Sequence, residues 1–488
     1  MTAQSQRSEV GVRARSFAIV ELSIIMILIL TIARAGGWQR DTGSVMDPLI
    51  KINAVLRDSR DALHQLWRHF VSIANVGTGV LGHPHYIPRF GRSKVIYQRP
   101  IYQCGTASYD DVEKLLRRIH DFHVRDRRQS LVYVVGDQQT YDRMLKLKIR
   151  YPGAYRWLLP LPGEFHFKWH VTLAMHKLNW SPLTGWFRDA AGMENTVSER
   201  DMEKADKIKY ILHFYSLVCV AIVTYLLKVF GNDLDDADAF IGRHAANTGA
   251  HHDLTPRESS PCPHATARND SGITLLARFM FEFGFPWLGL VNGIRSNDSQ
   301  NIDFMWAYCL PWFRATSKTQ YGPMAVHVIF FNELMSDEIR GIWHAYRTAS
   351  LMGHCGRNVA WDYLLERMNC EFKDGLHGCV TRERLDKFGV MMNGFKHIDA
   401  MLSQSWGVEH PDDPSQYTHV KSADVDAVVK QLEDRLGASR AEVDRKASAR
   451  NPFGNGTMPW AAVDTAKVDL DDFIRLHLHG LQTDEPMR

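Results

Sequence analysis

One acidic residue, Asp137, lies where open α/β sheets place their catalytic groups. Residues 131–135 (LVYVV) form an apolar, β-branched run of strand length, and Gly136 ends it. Asp137 follows at once, so we expect its carboxylate at the carboxyl end of a buried strand. Hard divalent cations prefer carboxylate oxygens. The position is therefore typical of a metal ligand.

A second set of polar residues follows one face of a helix predicted over residues 359–373, a segment without Gly or Pro. The residues are spaced four, three and four apart: Asp362, Glu366, Asn369 and Lys373. They therefore share one face of the helix. One interpretation is a functional site, and the other is a solvated stripe with Asp362 near the N-terminus of its own helix, where it favours the macrodipole.

Asp137 is positioned by a predicted strand, helix, strand unit. Residues 138–151 have roughly helical apolar spacing, and Pro152-Gly153 ends that helix. A second strand, predicted over residues 155–161, runs into the string PGEFH at residues 162–166. We expect the two strands to be adjacent and parallel, with a right-handed crossover.

Three strings resemble the domain of unknown function 6589, which is found in many fungal and in some protist and animal proteins: VVGDQQTYDRMLKLK, LPLPGEFHF and GRNVAWDYLLERMNCEFKDGLHGCVT. The resemblance covers Ser130 to Lys396, with gaps. It implies a transposase-derived protein of ribonuclease-H-like fold. The implied class is α/β and mostly helical, with a small mixed sheet and a large helical insertion between the strand acid and the helix acid. DNA is the implied partner and the nucleus the implied compartment.

The resemblance also implies roles for individual residues. The implied catalytic acids are Asp137, Glu366 and Asp362. The implied ligands of Mg²⁺ or Mn²⁺ are Asp137, Glu366, Glu164 and His166. Two ions about 4 Å apart would require the carboxylates of Asp137 and Glu366 to lie within about 8 Å of each other. The candidate DNA-binding cations are Lys373, which falls on a motif position, and four residues of two basic stretches: Arg127, Arg128, Lys146 and Lys148.

The sequence departs from the implied pattern at the first catalytic acid. We expect an Asp-Asn pair upstream of Asp137, and none precedes it. Three hypotheses stay open: a metal-dependent nuclease or strand transferase, a non-catalytic DNA-binding or scaffold remnant, and a membrane-anchored protein. A homo-oligomer is compatible with each of them.

The overall charge excludes a strongly basic nucleic-acid coat protein. The net charge is +3, from 58 basic and 55 acidic side chains. DNA binding would therefore need a local patch, for which the candidates are residues 114–128 and 143–150. The alternative is that both stretches are solvated helix faces.

The seven cysteines include no CxxC pair, which argues against a disulfide framework and a zinc ribbon and favours a reducing compartment. Residues 244–264 contain zinc-competent side chains: His244, His251, His252, Cys262 and His264. Their spacing fits no zinc-finger signature. The Ser, Pro and Thr content instead favours a flexible insertion. Residues 232–270, which include this loop, should be the least ordered internal segment.

Two apolar stretches raise the question of a membrane. Residues 17–33 follow three arginines and end near Ala33-Arg34-Ala35, so a signal peptide, an anchor and a core helix are all open interpretations. Glu21 argues against a bilayer crossing. Residues 211–227 lie between the two family motifs, and a crossing there would separate them. We predict a buried core helix for that stretch.

These observations divide the chain into four parts. Residues 1–40 are a basic and apolar leader, and residues 41–128 are mainly helical, with helices predicted over 49–74 and 109–122. Residues 129–400 form the core, with the polar insertion at 232–272. Residues 401–488 are a charged, partly disordered tail with an amphipathic helix over 423–436.

Overall fold

The computed structural model describes residues 108–126, 130–179, 183–194, 197–198, 208–230, 272–316, 320–349, 358–364, 422–439, 441–443 and 470–482, with residues 27–28, 366, 381, 383, 420, 453, 462–463 and 466. The described part is mostly helical and includes a small sheet. The chain divides into two compact units. Unit 1 comprises residues 1–36, 97–161 and 364–398, and unit 2 comprises residues 37–96, 162–363 and 399–488.

Among its described residues, unit 1 contains a three-stranded sheet, two α-helices and a π-helical turn. Its elements are β1 (Ile27–Leu28), α1 (Tyr109–Ile119), a π-helical turn (His120–Asp126), β2 (Val132–Gly136), α2 (Gln138–Arg150) and β3 (Leu158–Pro162), which ends at the unit boundary. The strand order is β1-β2-β3, and β1 pairs antiparallel with β2. The neighbouring strands β2 and β3 are parallel, which confirms the predicted strand, helix, strand unit.

Strand β3 begins three residues later than predicted. The backbone N–H groups of Ala154 and Tyr155 both donate to the carbonyl of Tyr151 at 3.1 Å, which holds the segment after α2 in turns. The chain becomes extended only from Leu158. The aromatic residues before β3 nevertheless contribute to the core, since Tyr155 and Trp157 are buried.

The core of unit 1 follows from the amphipathic spacing of α1 and α2. Ser108 begins α1 by accepting a hydrogen bond from the backbone N–H of Asp111 at 3.1 Å. The apolar face of α1 then packs with α2 and the sheet, and the cluster includes Val112, Leu115, Leu116, Ile119, Val132, Val134, Met144, Leu147, Trp157 and Leu158. The predicted helix over residues 109–122 is confirmed: α1 covers Tyr109–Ile119, and the π-helical turn continues it from His120.

Unit 2 is built mainly of helices. Its helices are α3 (Glu164–Asn179), α4 (Gly185–Ala190), α5 (Ile208–Phe230), α6 (Gly272–Phe279), α7 (Phe285–Ser296), α8 (Ser299–Tyr308), α9 (Leu310–Ala315), α10 (Tyr321–Leu334), α11 (Asp337–Ala345), α12 (Ser422–Leu436) and α13 (Leu470–Gln482). Two short strands, β4 (Thr348–Ala349) and β5 (Val359–Ala360), pair antiparallel. Helix α3 packs against α7, α9 and β5.

Helix α5 is the apolar segment that we predict to be a core helix. Residues 210–229 are long and apolar enough to cross a membrane, but 72% of their most apolar window is buried inside the protein. The helix packs against α12, and the Tyr225 hydroxyl donates to the carbonyl of Gly437 at 3.0 Å. The predicted core helix is confirmed, as is the helix over residues 423–436.

Several predictions fall outside the described residues. These are the helix over 49–74, the insertion up to residue 271 with its His and Cys residues, and Arg127, Arg128, Asn369 and Lys373. Of the apolar stretch 17–33, the structure describes only Ile27 and Leu28, whose backbones pair with Val134 and Tyr133 of β2.

Candidate functional site at the start of helix α3

The start of helix α3 brings several titratable side chains of unit 2 together. After Pro162 and Gly163 the chain enters the helix directly at Glu164. The first turns carry Glu164, His166 and Lys168, while Phe167 faces the core and stacks on Trp306, with ring centroids 3.6 Å apart. The acid in the first turn also complements the helix macrodipole.

Asp362 caps this helix from far along the chain. Its Oδ1 accepts the backbone N–H of Phe165 at 3.0 Å, and its Oδ2 accepts the backbone N–H of His166, also at 3.0 Å. The Nδ1 atom of the His166 ring lies 3.0 Å from the same Oδ2. Asp362 is 3% exposed. It therefore satisfies helix-terminal N–H groups that would otherwise be buried without acceptors.

Gly163 leaves the space that this carboxylate occupies. A Cβ atom built at residue 163 would overlap the Asp362 side chain, at 2.7 Å from its Cγ. Trp361 fixes the neighbouring backbone, because its indole Nε1 donates to the carbonyl of Tyr346 at 2.8 Å. The close approach of residues 163 and 362 thus requires glycine at the first position.

Glu164 and Arg347 form a buried ion pair, which the partly exposed Asp303 joins. The Nε of Arg347 donates to Glu164 Oε1 at 2.7 Å, and its Nη1 donates to Asp303 Oδ1 and to the carbonyl of Ser299. Asp303 also lies 3.0 Å from His344 Nε2. The side chains of Arg347 and Glu164 are 0% and 2% exposed. One buried guanidinium thus joins two carboxylates.

Burial and charge shift the pKa values in opposite directions here. Burial raises the pKa of Glu164 to about 7 despite the attraction of Arg347. Burial also acts to raise the pKa of Asp303, but Arg347 and His344 hold that pKa below its usual value. Burial lowers the pKa of Lys168 to about 8; Asp362 opposes the shift and Arg295 adds to it.

The protein's own donors engage three of the four carboxylate oxygens of Glu164 and Asp362. Both oxygens of Asp362 accept hydrogen bonds and Arg347 binds Oε1 of Glu164, while Oε2 of Glu164 is buried without a hydrogen-bond partner among the described residues. Within the described residues, no group of three or more His, Cys, Asp or Glu side chains could hold a metal ion. The ligand roles of Glu164 and His166 stay predictions.

Asp137 lies at the end of β2, as the sequence predicts. Its side chain is exposed, and Oδ1 accepts the backbone N–H of Thr140 at 2.8 Å, which caps α2. Glu366 is also exposed and, like Asp137, belongs to unit 1, whereas Asp362 belongs to unit 2. The predicted closeness of Asp137 and Glu366 stays a prediction.

Of the predicted DNA-binding cations, the structure describes Lys146 and Lys148, and their surroundings differ. Lys146 is partly exposed and pairs with Asp142 at 2.7 Å. Lys148 is buried, and its Nζ donates to the carbonyls of Leu158 at 2.7 Å and Tyr155 at 3.0 Å. Burial lowers its pKa to about 8. Lys148 thus fixes the turn before β3, and this enclosed ammonium does not fit the predicted contact with DNA.

Arg347, Asp303 and His344 are partners of this site that the sequence does not predict. Asp303 lies on α8, His344 lies in the last turn of α11, and Arg347 directly precedes β4. No local spacing marks them as partners of Glu164, because the Glu164–Arg347 contact spans 183 residues. Only tertiary packing assembles this network.

A family model described as a family of unknown function (DUF6589) matches residues 89–412 of the chain. No curated protein and no solved structure matches the chain.

Proposed function

Since this chain belongs to the DUF6589 family, we propose that it is a transposase-derived protein with a ribonuclease-H-like core that binds DNA without cleaving it. The observation that carries the proposal is the engagement of Glu164 and Asp362 by the protein's own donors. Such a protein would act in the nucleus.

The order of elements supports the proposed fold. A parallel β2-α2-β3 unit with an antiparallel neighbour is followed by a long helical region, from α3 to α11, before Asp362 and Glu366. This order agrees with a small mixed sheet and a helical insertion between the strand acid and the helix acid. The ribonuclease-H-like relation itself rests on the resemblance of the motifs.

The chemistry at α3 supports the loss of catalysis. A two-ion mechanism requires carboxylate oxygens that face the ions and stabilise the attacking and leaving oxygens. Asp362 instead caps α3, and Glu164 is bound to Arg347. No Asp-Asn pair precedes Asp137 to supply a first acid. These residues are thus more suited to holding the fold than to holding Mg²⁺ or Mn²⁺.

DNA binding can be tested by electrophoretic mobility shift with the full chain and linear DNA, single-stranded or double-stranded. We expect a shift that weakens as salt increases, because phosphate contacts release counterions. The absence of any shift at low salt would overturn the proposed function.

A second candidate function is a metal-dependent nuclease or strand transferase. It is favoured by one observation: Asp137 and Glu366 are both exposed acids of unit 1, and Asp137 lies at the end of a buried strand. Incubation of the chain with labelled DNA and Mn²⁺ separates the two candidates. DNA cleavage that Asp137→Asn and Glu366→Gln abolish, but that the exposed control Asp110→Asn keeps, would establish the nuclease.

A further inference from the structure

The end of helix α2 and the turn after it are basic in sequence. Between Arg143 and Gly163 the sequence has five basic side chains and no Asp or Glu. Lys148 is buried and Lys146 is paired. Of the other three, Arg143 is partly exposed and donates to Gln139 at 3.4 Å, and Arg150 and Arg156 are both exposed.

An exposed aromatic ring lies among these cations. The Tyr151 side chain is 47% exposed, and the guanidinium carbon of Arg150 lies 5.4 Å from its ring centroid. The neighbouring Ile149 is 42% exposed. Tyr109 and Tyr210 are also exposed, at 40% and 38%, so what marks this turn is the combination of an exposed ring and an exposed apolar side chain beside two exposed arginines.

Helix α1 brings an ion pair close to the same turn. The charges of Glu113 and Arg117 both act on Tyr155, and Tyr151 acts on it as well. The Arg117 side chain is 72% exposed, although it pairs with Glu113 at 2.7 Å. We call Arg117, Arg150, Tyr151 and Arg156 the Tyr151 surface, and all four residues belong to unit 1.

We propose that the Tyr151 surface binds single-stranded DNA, with the Tyr151 ring stacking on a base and the arginines contacting the flanking phosphates. An exposed aromatic ring can accept any unpaired base on its face, and cations beside it follow the backbone. A base inside a duplex is already stacked on its neighbours, so a single strand fits this surface better. This inference rests on the proposed DNA-binding function and assigns it a location.

The competing explanation is that Arg150 only complements the negative end of the α2 macrodipole. That role affects stability and leaves DNA affinity unchanged. Tyr151 separates the two explanations, because its ring carries no charge and therefore cannot complement the macrodipole.

The test is fluorescence anisotropy of a labelled oligothymidylate with the full chain and its variants. We expect Tyr151→Ala to weaken binding at least about fivefold, which corresponds to the smallest stacking contribution of about 1 kcal/mol. Tyr151→Phe should keep the affinity. Arg150→Gln and Arg156→Gln should each weaken binding and reduce the salt slope by about 0.7 per lost phosphate contact. The control is Lys430→Gln on α12, an exposed cation of unit 2.

The outcomes test the Tyr151 surface separately from the proposed DNA-binding function. If the wild-type chain binds the oligonucleotide and Tyr151→Ala and Arg150→Gln bind equally well, the Tyr151 surface is not the site, while the proposed DNA-binding function stands. Preference for a duplex of the same length would also overturn the single-strand assignment. Absence of binding to either form of DNA would overturn both proposals. Equal thermal unfolding of the variants and the wild type ensures that a loss of binding reports on the surface.

Discussion

The carboxylate of Asp362 lies 3.0 Å from Nδ1 of His166 and also accepts the backbone N–H of the same residue. One side chain thus neutralises the positive end of helix α3 and orients the imidazole of its first turn. The contact joins residues 196 positions apart. An acid that the family motif suggests for catalysis is, in this structure, a helix cap.

Replacing Asp362 should therefore destabilise the fold. Asp362→Asn removes the charge and presents an amide N–H₂ to backbone donors, so we expect the free energy of unfolding to fall by about 1–3 kcal/mol. Urea unfolding followed by circular dichroism measures the change. The control is Asp426→Asn, an exposed acid within α12, which should stay within about 0.5 kcal/mol of the wild type. Equal effects of the two substitutions would refute the capping role.

The same contact makes a prediction for Gly163. Gly163→Ala should destabilise the protein, because the new methyl group would overlap the Asp362 carboxylate and force the cap away from α3. Gly341 in α11 is the matched control, since a Cβ atom there meets no atom within 4 Å. Gly341→Ala should stabilise the protein by about 0.5–1 kcal/mol through helix propensity. Opposite signs in thermal unfolding are the expected result, and a neutral Gly163→Ala would show that the cap adapts.

The Glu164–Arg347 pair should show strong coupling. Arg347→Met removes the guanidinium that contacts both Glu164 and Asp303, and we expect a loss of about 3–5 kcal/mol. Glu164→Gln should cost less stability in that variant than in the wild type, because the partner of Glu164 is then already absent. A double-mutant cycle measures the coupling, which we expect to exceed about 1 kcal/mol. Strictly additive effects would mean that the two side chains do not stabilise each other.

His176 predicts how stability changes with pH. Its imidazole is 2% exposed and lies 2.7 Å from the Tyr215 hydroxyl, and burial lowers its pKa from 6.5 to about 3. Below about pH 6.5 the unfolded chain binds a proton at this residue that the folded chain does not. The stability that the neutral His176 contributes is therefore fully present above pH 6.5. It is lost as the pH falls towards 3, by up to about 1.4 kcal/mol per pH unit.

The measurement is the difference in unfolding free energy between the wild type and His176→Gln across that pH range. The wild type should lose stability faster than the variant as the pH falls below 6.5. Parallel pH profiles would show that His176 does not titrate as its burial requires.

Local patterns predicted the elements but not their tertiary partners. The apolar run at residues 131–135 and the helical spacing after it are sufficient to predict β2, α2 and the position of Asp137. Lys148 looks like a solvated cation in such a pattern, because only the folded turn brings the carbonyls of Tyr155 and Leu158 to its ammonium.

The residues around α3 show the same limit more strongly. The spacing of Asp362 and Glu366 predicts a shared helix face, yet the cap on α3 depends on the absence of a side chain at Gly163. The buried network of Glu164, Arg347 and Asp303 joins α3, α8 and the segment before β4, which no short-range periodicity relates. A motif identified candidate acids, but hydrogen-bond donors distant in sequence determine what those acids can bind.

The central claim is that Glu164 and Asp362 hold the fold rather than metal ions. It is tested most directly by titrating Mn²⁺ into the full chain and following the free ion by electron paramagnetic resonance. The account predicts that Glu164→Gln and Asp362→Asn lower the unfolding free energy and leave Mn²⁺ binding the same as in the wild type. Stoichiometric binding of Mn²⁺ by the wild type that either substitution abolishes in a folded variant would contradict it.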